Sequence, residues 1–253
     1  MPQQTNKKTI IKAAPVAALM ILLMLSPGCS SRSGSPPLSA FRLIADYPVS
    51  TMNNGSVQIL TLRDTIGMVF SGGYTLYYLV PRTSFETNKK IPGTETYFFY
   101  GDSRRKGILF HSLADSSSQL RLNVDSFLGA RAFKTFHVNR APGILVDSLY
   151  SGDGTNLFEA YVPAQRKGAN SVDSIYLYFS ANLNAVPYSF SPELDSLKKK
   201  KLYKVRLLFN ADKPPDQDIV VPKRELSLEL QPWPITDSAT VKNVVDRWSK
   251  LIK

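Results

Sequence analysis

The sequence predicts a mainly β fold, built as an antiparallel sheet, a sandwich or an open barrel of about 10–12 strands. Short segments rich in β-branched and aromatic residues recur along the chain, and turn residues separate them. Two segments, 119–124 (QLRLNV) and 225–230 (ELSLEL), alternate strictly between polar and apolar side chains. A period of two is typical of a strand with one buried face and one face in water, so both segments indicate strands beside a core.

The remaining strand candidates carry the same mixture of apolar, β-branched and aromatic residues. In chain order they are residues 57–62, 66–70, 74–80, 97–100, 107–113, 143–150, 157–162, 174–179 and 203–209, with a further candidate marked by Phe133, Phe136 and Val138. The sequences Gly72-Gly73 and Gly152-Asp153-Gly154 predict turns between neighbouring strands. No stretch inside the body has the composition of an interdomain linker, so residues 41–253 are predicted to form a single β-rich domain.

A short helix is predicted near residues 191–201. Ser191 is a candidate N-cap, because its hydroxyl can accept a hydrogen bond from a backbone N–H in the first turn. Pro192 follows at the first helical position, where its missing N–H costs nothing. The lysines at 198–201 stand where cations interact favourably with the negative end of a helix.

An amphipathic helix is predicted near residues 238–252, at the carboxyl end of the sequence. Its apolar residues recur at helical spacing and form one stripe: Val241, Val244, Val245, Trp248, Leu251 and Ile252. The aspartate or serine at positions 237–238 can cap the first turn. We expect the stripe to pack on the sheet; the alternative is that it docks a partner through Val241, Val245 and Trp248, or closes a lipid-binding face.

The first 28 residues have the layout of a secretory signal peptide. Lys7, Lys8 and Lys12 form a positively charged segment without acids, and residues 13–25 (AAPVAALMILLML) are apolar throughout. This apolar run is too short to cross a bilayer, which takes about 20 residues as a helix. Residues 1–28 are therefore predicted to be a cleaved signal rather than a membrane-spanning anchor.

The only cysteine of the sequence, Cys29, stands directly after this segment. The stretch Leu25-Ser26-Pro27-Gly28-Cys29 resembles the lipobox of bacterial lipoproteins. That resemblance implies that Cys29 becomes the first residue of the mature chain and carries three acyl chains, which would anchor it durably because stable anchoring takes more than one chain. With Cys29 lipidated, no thiol remains for catalysis or for a disulfide.

Residues 29–40 are predicted to be the lipidated cysteine and a flexible tether, because residues 30–37 are rich in Ser, Gly and Pro. By the same resemblance, an acid directly after the cysteine would favour retention in the inner membrane, but Ser30 stands there. No acidic cluster of the kind that sends some lipoproteins to the cell surface follows. The expected location is the periplasmic face of the outer membrane.

The sequence carries a formal net charge of +11, and removal of residues 1–28 takes away three lysines and no acids, which leaves +8. A basic surface suits anionic lipid headgroups or an acidic partner, or serves solubility alone. Nucleic acid is not an expected partner of an exported protein. The predicted partners are the membrane, through acyl chains on Cys29, an envelope protein and, alternatively, a lipid ligand.

Residues that could perform catalysis or bind metals are sparse. His111 and His137, the two histidines, each lie within a strand candidate, and the sequence contains no zinc-binding His motif and no nucleophile elbow. Asp212, Asp216 and Asp218 are candidate ligands for a hard cation such as Ca²⁺, although the prolines and lysine among them favour a turn. No cofactor is predicted, and a hydrolase or metal-dependent enzyme is the least favoured function.

A lipoprotein signal, a β-rich body and a carboxyl-terminal helix together resemble the lipoproteins common in Bacteroidetes. Tyr77-Tyr78 after a turn and residues 141–145 (APGIL) resemble the GLPGLI-type envelope proteins, whose architecture is similar to that of lipoprotein carriers of the LolA and LolB kind. That resemblance implies a curved antiparallel sheet that holds acyl chains against helices. We therefore expect a non-enzymatic lipoprotein that binds an envelope protein or assists an envelope machine; the alternative is a carrier of lipid or another apolar ligand in a concave β-sheet.

Overall fold

The computed structural model describes residues 38–79, 95–103, 105–114, 120–130, 143–164, 171–213 and 219–252. In these residues the protein has eleven antiparallel strands and three helices, none of them long and apolar enough to cross a membrane. The strands are β1 (Ser39–Asn53), β2 (Ser56–Ser71), β3 (Tyr74–Leu79), β4 (Thr96–Gly101), β5 (Lys106–Phe110), β6 (Leu120–Asn123), β7 (Ile144–Tyr150), β8 (Asn156–Val162), β9 (Ser174–Ser180), β10 (Lys201–Phe209) and β11 (Arg224–Pro232). The helices are α1 (Val124–Ala130), α2 (Pro192–Lys198) and α3 (Ser238–Leu251).

The eleven strands form one open sheet, in the spatial order β6-β5-β4-β3-β2-β1-β11-β10-β9-β8-β7. Strands β1–β6 form one meander and β7–β11 a second, and the pairing of β1 with β11 joins the two. The predicted mainly β, antiparallel architecture is therefore confirmed. All eleven described strands belong to this one sheet, so they do not form a two-sheet sandwich, which was one of the alternatives. The strand candidate around residues 133–138 lies outside the described residues.

The pairing of β1 with β2 runs over all fifteen residues of β1. Strand β1 is absent from the predicted strands, because Pro48 and the polar residues around it interrupt the alternation of its side chains. The predicted tether, residues 29–40, overlaps β1 at Ser39 and Ala40, both of which pair with β2. The strand therefore begins before the predicted domain boundary. Strand β2 pairs with its whole length, including Pro48, and β11 pairs with residues 41–46 on the other side.

Helix α1 is a second element that the sequence patterns did not predict. The strand expected at 119–124 ends at Asn123, whose Oδ1 accepts a hydrogen bond from the Ser126 N–H at 2.9 Å. This bond satisfies a donor in the first turn of the helix, as an N-cap does. Phe127 then buries against the sheet and stacks on Phe98, with ring centroids 4.0 Å apart.

The two faces of the sheet contact different helices. We call the first the α2 face; its strands bury the larger apolar cluster, which α1 and α2 complete and which includes Leu43, Met68, Phe98, Leu177 and Leu228. We call the second the α3 face; strands β2–β5 bury a smaller cluster against α3, which includes Val69, Leu76, Phe99, Ile108 and Phe110. Alternate residues of β2–β5 thus enter two cores, which explains their nearly continuous apolar sequences.

Helix α3 confirms the predicted amphipathic helix and its packing on the sheet. Asp237 is its N-cap and accepts a hydrogen bond from the Thr240 N–H at 2.9 Å, which lowers the pKa of the Asp237 carboxyl. The apolar stripe contacts β3 and β4. Its buried residues are Val241, Val244, Val245 and Trp248.

Helix α2 begins where the sequence predicts and ends earlier. Ser191 Oγ accepts a hydrogen bond from the Leu194 N–H at 3.3 Å, and Pro192 takes the first helical position. Lys199 adopts a left-handed conformation with φ of 54° and ends the helix. Lys201, expected at the helix end, instead starts β10, where its ammonium lies 2.9 Å from a carboxylate of α2.

Candidate functional site

Only some of the residues that the sequence indicates as candidate sites lie within the described residues. Cys29, the predicted lipidation site, lies outside the described residues, and so do Asp216 and Asp218, two of the three candidate cation ligands. The third, Asp212, forms an isolated β-bridge with Val221, and its Oδ2 is buried without a hydrogen-bond partner. Within the described ranges, no three His, Cys, Asp or Glu side chains are arranged as a metal site requires.

His111 lies at the surface, whereas the sequence places it within a strand. Strand β5 ends at Phe110, and His111 is exposed in the bend that follows. The predicted strand 107–113 is therefore three residues too long at its carboxyl end. His137 lies outside the described residues.

The three candidate partner-binding residues lie on the side of α3 that is buried against the sheet. Trp248 is inaccessible to solvent and packs on Phe110, with ring centroids 5.4 Å apart, while its Nε1 has no hydrogen-bond partner. Val241 and Val245 belong to the same core. A partner cannot reach this stripe while α3 remains on the sheet, so packing on the sheet replaces docking as the interpretation of these residues.

A small recess opens beside the first turn of α3. Its volume is about 160 Å³, and its walls include Tyr78, Tyr97, Trp233 and Val241. Trp233 stacks on Tyr78 at a centroid distance of 5.8 Å and lies over Gly67, where an added Cβ would come within 2.4 Å of the indole. Only glycine at position 67 therefore allows the indole to lie flat on the sheet and form this wall.

The two tyrosines of this recess share one carboxylate. Tyr78 Oη donates a hydrogen bond to Glu95 Oε1 at 2.7 Å, and Tyr97 Oη donates one to Oε2 at 2.9 Å. Burial raises the pKa of Tyr78 to about 12, and the bond to Glu95 adds to the effect. The same two causes raise the pKa of Tyr97. Both phenols therefore remain protonated donors at neutral pH.

Strand β7 is one edge of the sheet and exposes apolar side chains on both of its faces. The exposed fractions lie between 49% and 66% for its large apolar residues, which are Ile144, Leu145, Val146, Leu149 and Tyr150. Strand β8 pairs with one side of β7, and no described strand pairs with the other. Soluble proteins rarely leave a long apolar edge uncovered, because its unpaired backbone groups accept additional strands. The sequence predicts β7 as a strand but carries no signal for its edge position, which depends on the strand order.

Two features of β7 restrict which strands can add to it. The register with β8 shifts between Leu145 and Asp147, so Val146 lies in a bulge. Asp147 places a carboxylate in the middle of the strand. Bulges and charges on edge strands oppose indiscriminate pairing. The edge is therefore apolar, but it carries two features that oppose pairing with arbitrary strands.

The turn that connects β7 to β8 is the predicted Gly-Asp-Gly turn. Asp153 Oδ1 accepts hydrogen bonds from Ser151 Oγ at 2.5 Å and from the Thr155 N–H at 2.9 Å. These bonds lower the pKa of Asp153 to about 2. The carboxylate is thus engaged within the turn and fixes the start of β8 relative to β7.

Buried ion pairs join α2 to the sheet. Glu159 of β8 is only 3% exposed; its Oε1 lies 2.6 Å from Lys198 Nζ, and its Oε2 accepts a hydrogen bond from Tyr161 Oη at 2.7 Å. Burial and the bond to Glu159 raise the pKa of Tyr161. Asp195 of α2 pairs with Lys201 of β10 at 2.9 Å. Sequence reasoning missed these pairs, because residues 39 positions apart meet only once α2 lies across the sheet.

The charged side chains of β1, β2, β10 and β11 pair with one another on the α3 face. Arg206 forms two hydrogen bonds with Glu225, at 2.6 and 2.7 Å, and lowers the pKa of that carboxyl. Arg63 makes the equivalent pair with Asp46 at 2.8 Å, which lowers the pKa of Asp46. This half of the α3 face is therefore a surface of matched charges.

No protein-family model matches the sequence, and no curated protein matches it.

Proposed function

We propose that this protein is a lipid-anchored, non-enzymatic component of the cell envelope, held at the periplasmic face of the outer membrane, and that β7 binds an extended segment of another envelope protein. The observation that carries the proposal is the apolar edge of β7, with which no strand of the described residues pairs. The location rests on the resemblance of the sequence around Cys29 to a lipobox. A durable anchor and a tether would hold the edge near the membrane while leaving it open to partners.

The partner segment adds to β7 as a further strand. Its backbone bonds to the N–H and C=O groups that face away from β8, which is the mode by which extended peptides join sheet edges. Its side chains cover Leu145 and Tyr150 on the α2 face and Leu149 on the opposite face. A cation of the partner opposite Asp147 completes the match, since oppositely charged cross-strand neighbours stabilise a pair. The proposed partner is thus an extended, alternating segment with a Lys or Arg near its centre.

Site-specific photo-crosslinking in cells tests this edge. A photoreactive amino acid replaces Leu145, Leu149 or, as a matched control, Leu197, which is an apolar residue of α2 that is 72% exposed. We expect Leu145 and Leu149, on opposite faces of β7, to give the same single heterologous adduct, and Leu197 to give none of it. The substitution Asp147→Lys should reduce the adduct at Leu149 by at least about tenfold, which corresponds to about 1.4 kcal/mol.

Three results would contradict the partner proposal. Identical adducts at all three positions would mean indiscriminate contact with neighbouring proteins. An adduct with the mass of two copies of this chain would identify self-association instead. An adduct that survives Asp147→Lys unchanged would mean that the strand edge is not the contact.

Cys29→Ser tests the anchor independently of β7. Because the proposed acyl chains attach to the Cys29 sulfur and amino group, we expect the variant to lose incorporation of labelled fatty acid and to leave the membrane fraction. Ser30→Ala is the matched control, since it changes the neighbouring hydroxyl and keeps the cysteine. A Cys29→Ser protein that remains fully membrane-bound would instead indicate an uncleaved amino-terminal segment.

A carrier of lipid or another apolar ligand is the second candidate function. The segment between β9 and α2 favours it, because its residues Val186 and Phe190 are buried in the same apolar cluster as Tyr77 of β3, so this segment crosses the α2 face. One sheet whose apolar face lies under helices is the architecture implied by the resemblance to lipoprotein carriers. We would test this by mass spectrometry of the native protein: a stoichiometric acyl lipid beyond the anchor supports the carrier, and its absence counts against it.

A further inference from the structure

A larger recess lies at the carboxyl end of α3, against β5 and β6. Its volume is about 290 Å³. Its walls include Arg105, Lys106, Ile108, Arg121, Leu251 and Ile252. Strand β6 is the edge of the sheet opposite β7, so this recess is separate from the proposed partner edge.

The recess combines three cations with an apolar floor. Arg121 lies directly opposite Ile108 in the β5–β6 register, and Lys106 stands two residues before Ile108 on β5, so these side chains share the α3 face. Ile108 is buried, whereas Leu251 at the rim leaves 47% of its surface exposed. Arg105, Lys106 and Arg121 are exposed, and no acidic side chain of the described residues lines the recess.

The end of α3 accounts for only part of this arrangement. The last carbonyls of a helix carry partial negative charge, which attracts cations such as Lys250 in the final turn. That attraction does not explain why an apolar recess stays open between the cations and Leu251. A ligand with one anionic group and one hydrocarbon portion matches both parts of the recess.

We propose that this recess binds an anionic phospholipid of a bilayer surface. The phosphate contacts Arg105, Lys106 and Arg121, and the first part of an acyl chain lies on Ile108 and Leu251. A bilayer lipid rather than a free one is the occupant, because all three cations are exposed to solvent beside the recess and an anionic membrane surface attracts such a cluster. Each cation beside an anionic membrane surface contributes a roughly fivefold gain in binding. The proposal does not require that β7 bind a partner.

Photoactivatable phosphatidylglycerol in phosphatidylcholine vesicles tests this site. The full-length protein, purified as the cell makes it, is irradiated with these vesicles, and the labelled peptides are mapped. We expect label on the segments that contain residues 105–108 and 251–252. Lys106→Gln combined with Arg121→Gln should reduce it about 25-fold, as expected for the loss of two such cations. Lys199→Gln combined with Lys223→Gln, which removes two exposed cations elsewhere, should leave it near the original yield.

The charge-preserving pair Lys106→Arg and Arg121→Lys separates charge from folding, because it should retain the label. Loss of label in that pair would overturn the proposal, and so would equal loss in both neutralising pairs, which would indicate a general effect of net charge. Equal labelling by photoactivatable phosphatidylcholine would show that no anion is recognised. Labelling by short-chain phosphatidylglycerol in solution, with none from vesicles, would identify a free lipid as the ligand and overturn the bilayer contact.

Discussion

Trp248→Ala is expected to lower the free energy of unfolding by about 3–5 kcal/mol, the range for truncating a large buried aromatic side chain. Trp248 is completely buried between α3 and the sheet, and its ring packs on Phe110. Its truncation leaves a cavity that β-strands cannot close by moving, because each is held by hydrogen bonds to its neighbours. Unfolding in urea, followed by circular dichroism, measures the loss as a lower midpoint at an unchanged slope.

Two further substitutions test whether the lost stability arises from the buried ring of Trp248. Trp248→Phe keeps an aromatic ring on Phe110 and removes the buried Nε1–H that has no acceptor, so we expect it to cost less than half as much as alanine. Leu251→Ala, on the exposed rim of the same helix, should change stability by less than about 1 kcal/mol. A cost of Trp248→Ala no greater than that of Leu251→Ala would contradict the packing of α3 on the sheet.

Lys198→Met is expected to lower the free energy of unfolding by about 2–3 kcal/mol, at or just below the range of about 3–5 kcal/mol for breaking a fully buried ion pair. Glu159 would then keep its carboxylate in a nearly closed site, and among the residues that the structure describes the Tyr161 hydroxyl would be its remaining side-chain donor. The cost is not larger because the Lys198 side chain retains 22% of its surface in water. Local hydrogen exchange should also accelerate in α2, since this pair ties the helix to β8.

A double-mutant cycle checks that the effect arises from the pair. Adding Glu159→Gln to Lys198→Met removes the stranded charge, so at least half of the lost stability should return. Lys199→Met is the matched control, because it removes an adjacent but exposed ammonium and should change stability by less than about 0.5 kcal/mol. Additive effects of the two changes in the pair would mean that Glu159 and Lys198 do not depend on each other.

The two proposed contacts lie at opposite edges of one sheet. Strand β7 ends the sheet on one side, and the cationic recess adjoins β6, which ends it on the other. Ten strand spacings separate these edges, up to about 48 Å if the sheet were flat. A lipid contact at β6 and a partner contact at β7 can therefore be occupied together, and variants at one should leave the other unchanged.

Local chemistry was sufficient to predict α2, α3 and most strands. Ser191 and Pro192 start α2, and the stripe from Val241 to Trp248 buries one side of α3, both by short-range rules. It was not sufficient for β1 or α1. Pro48 weakens the β pattern of β1, which forms because β2 pairs with its whole length and β11 pairs with residues 41–46 on its other side. Helix α1 depends on one Asn123 bond and on the fit of Phe127 against Phe98.

The candidate sites likewise divide into those that a local sequence pattern indicates and those that only the fold brings together. The lipobox resemblance around Cys29 is a property of contiguous residues, so it could be identified without a fold. The partner stripe of α3 could not be assigned, since an apolar helix face has the same sequence whether it is buried or exposed. The edge position of β7, the Glu159–Lys198 pair and the recess beside Arg121 depend on strand order or on contacts between distant residues, so no contiguous pattern indicated them.

By itself, the sequence determined that this protein is mainly β, where most strands and two helices lie, and that its amino-terminal segment resembles a lipoprotein signal. These properties follow from periodicity, caps and turns, which act over a few residues. Only the tertiary structure decided which strand is an edge, which face of the sheet each helix covers, and which charges meet. Those outcomes depend on strand order and on contacts between distant residues, such as β1 with β11, and no local pattern encodes them.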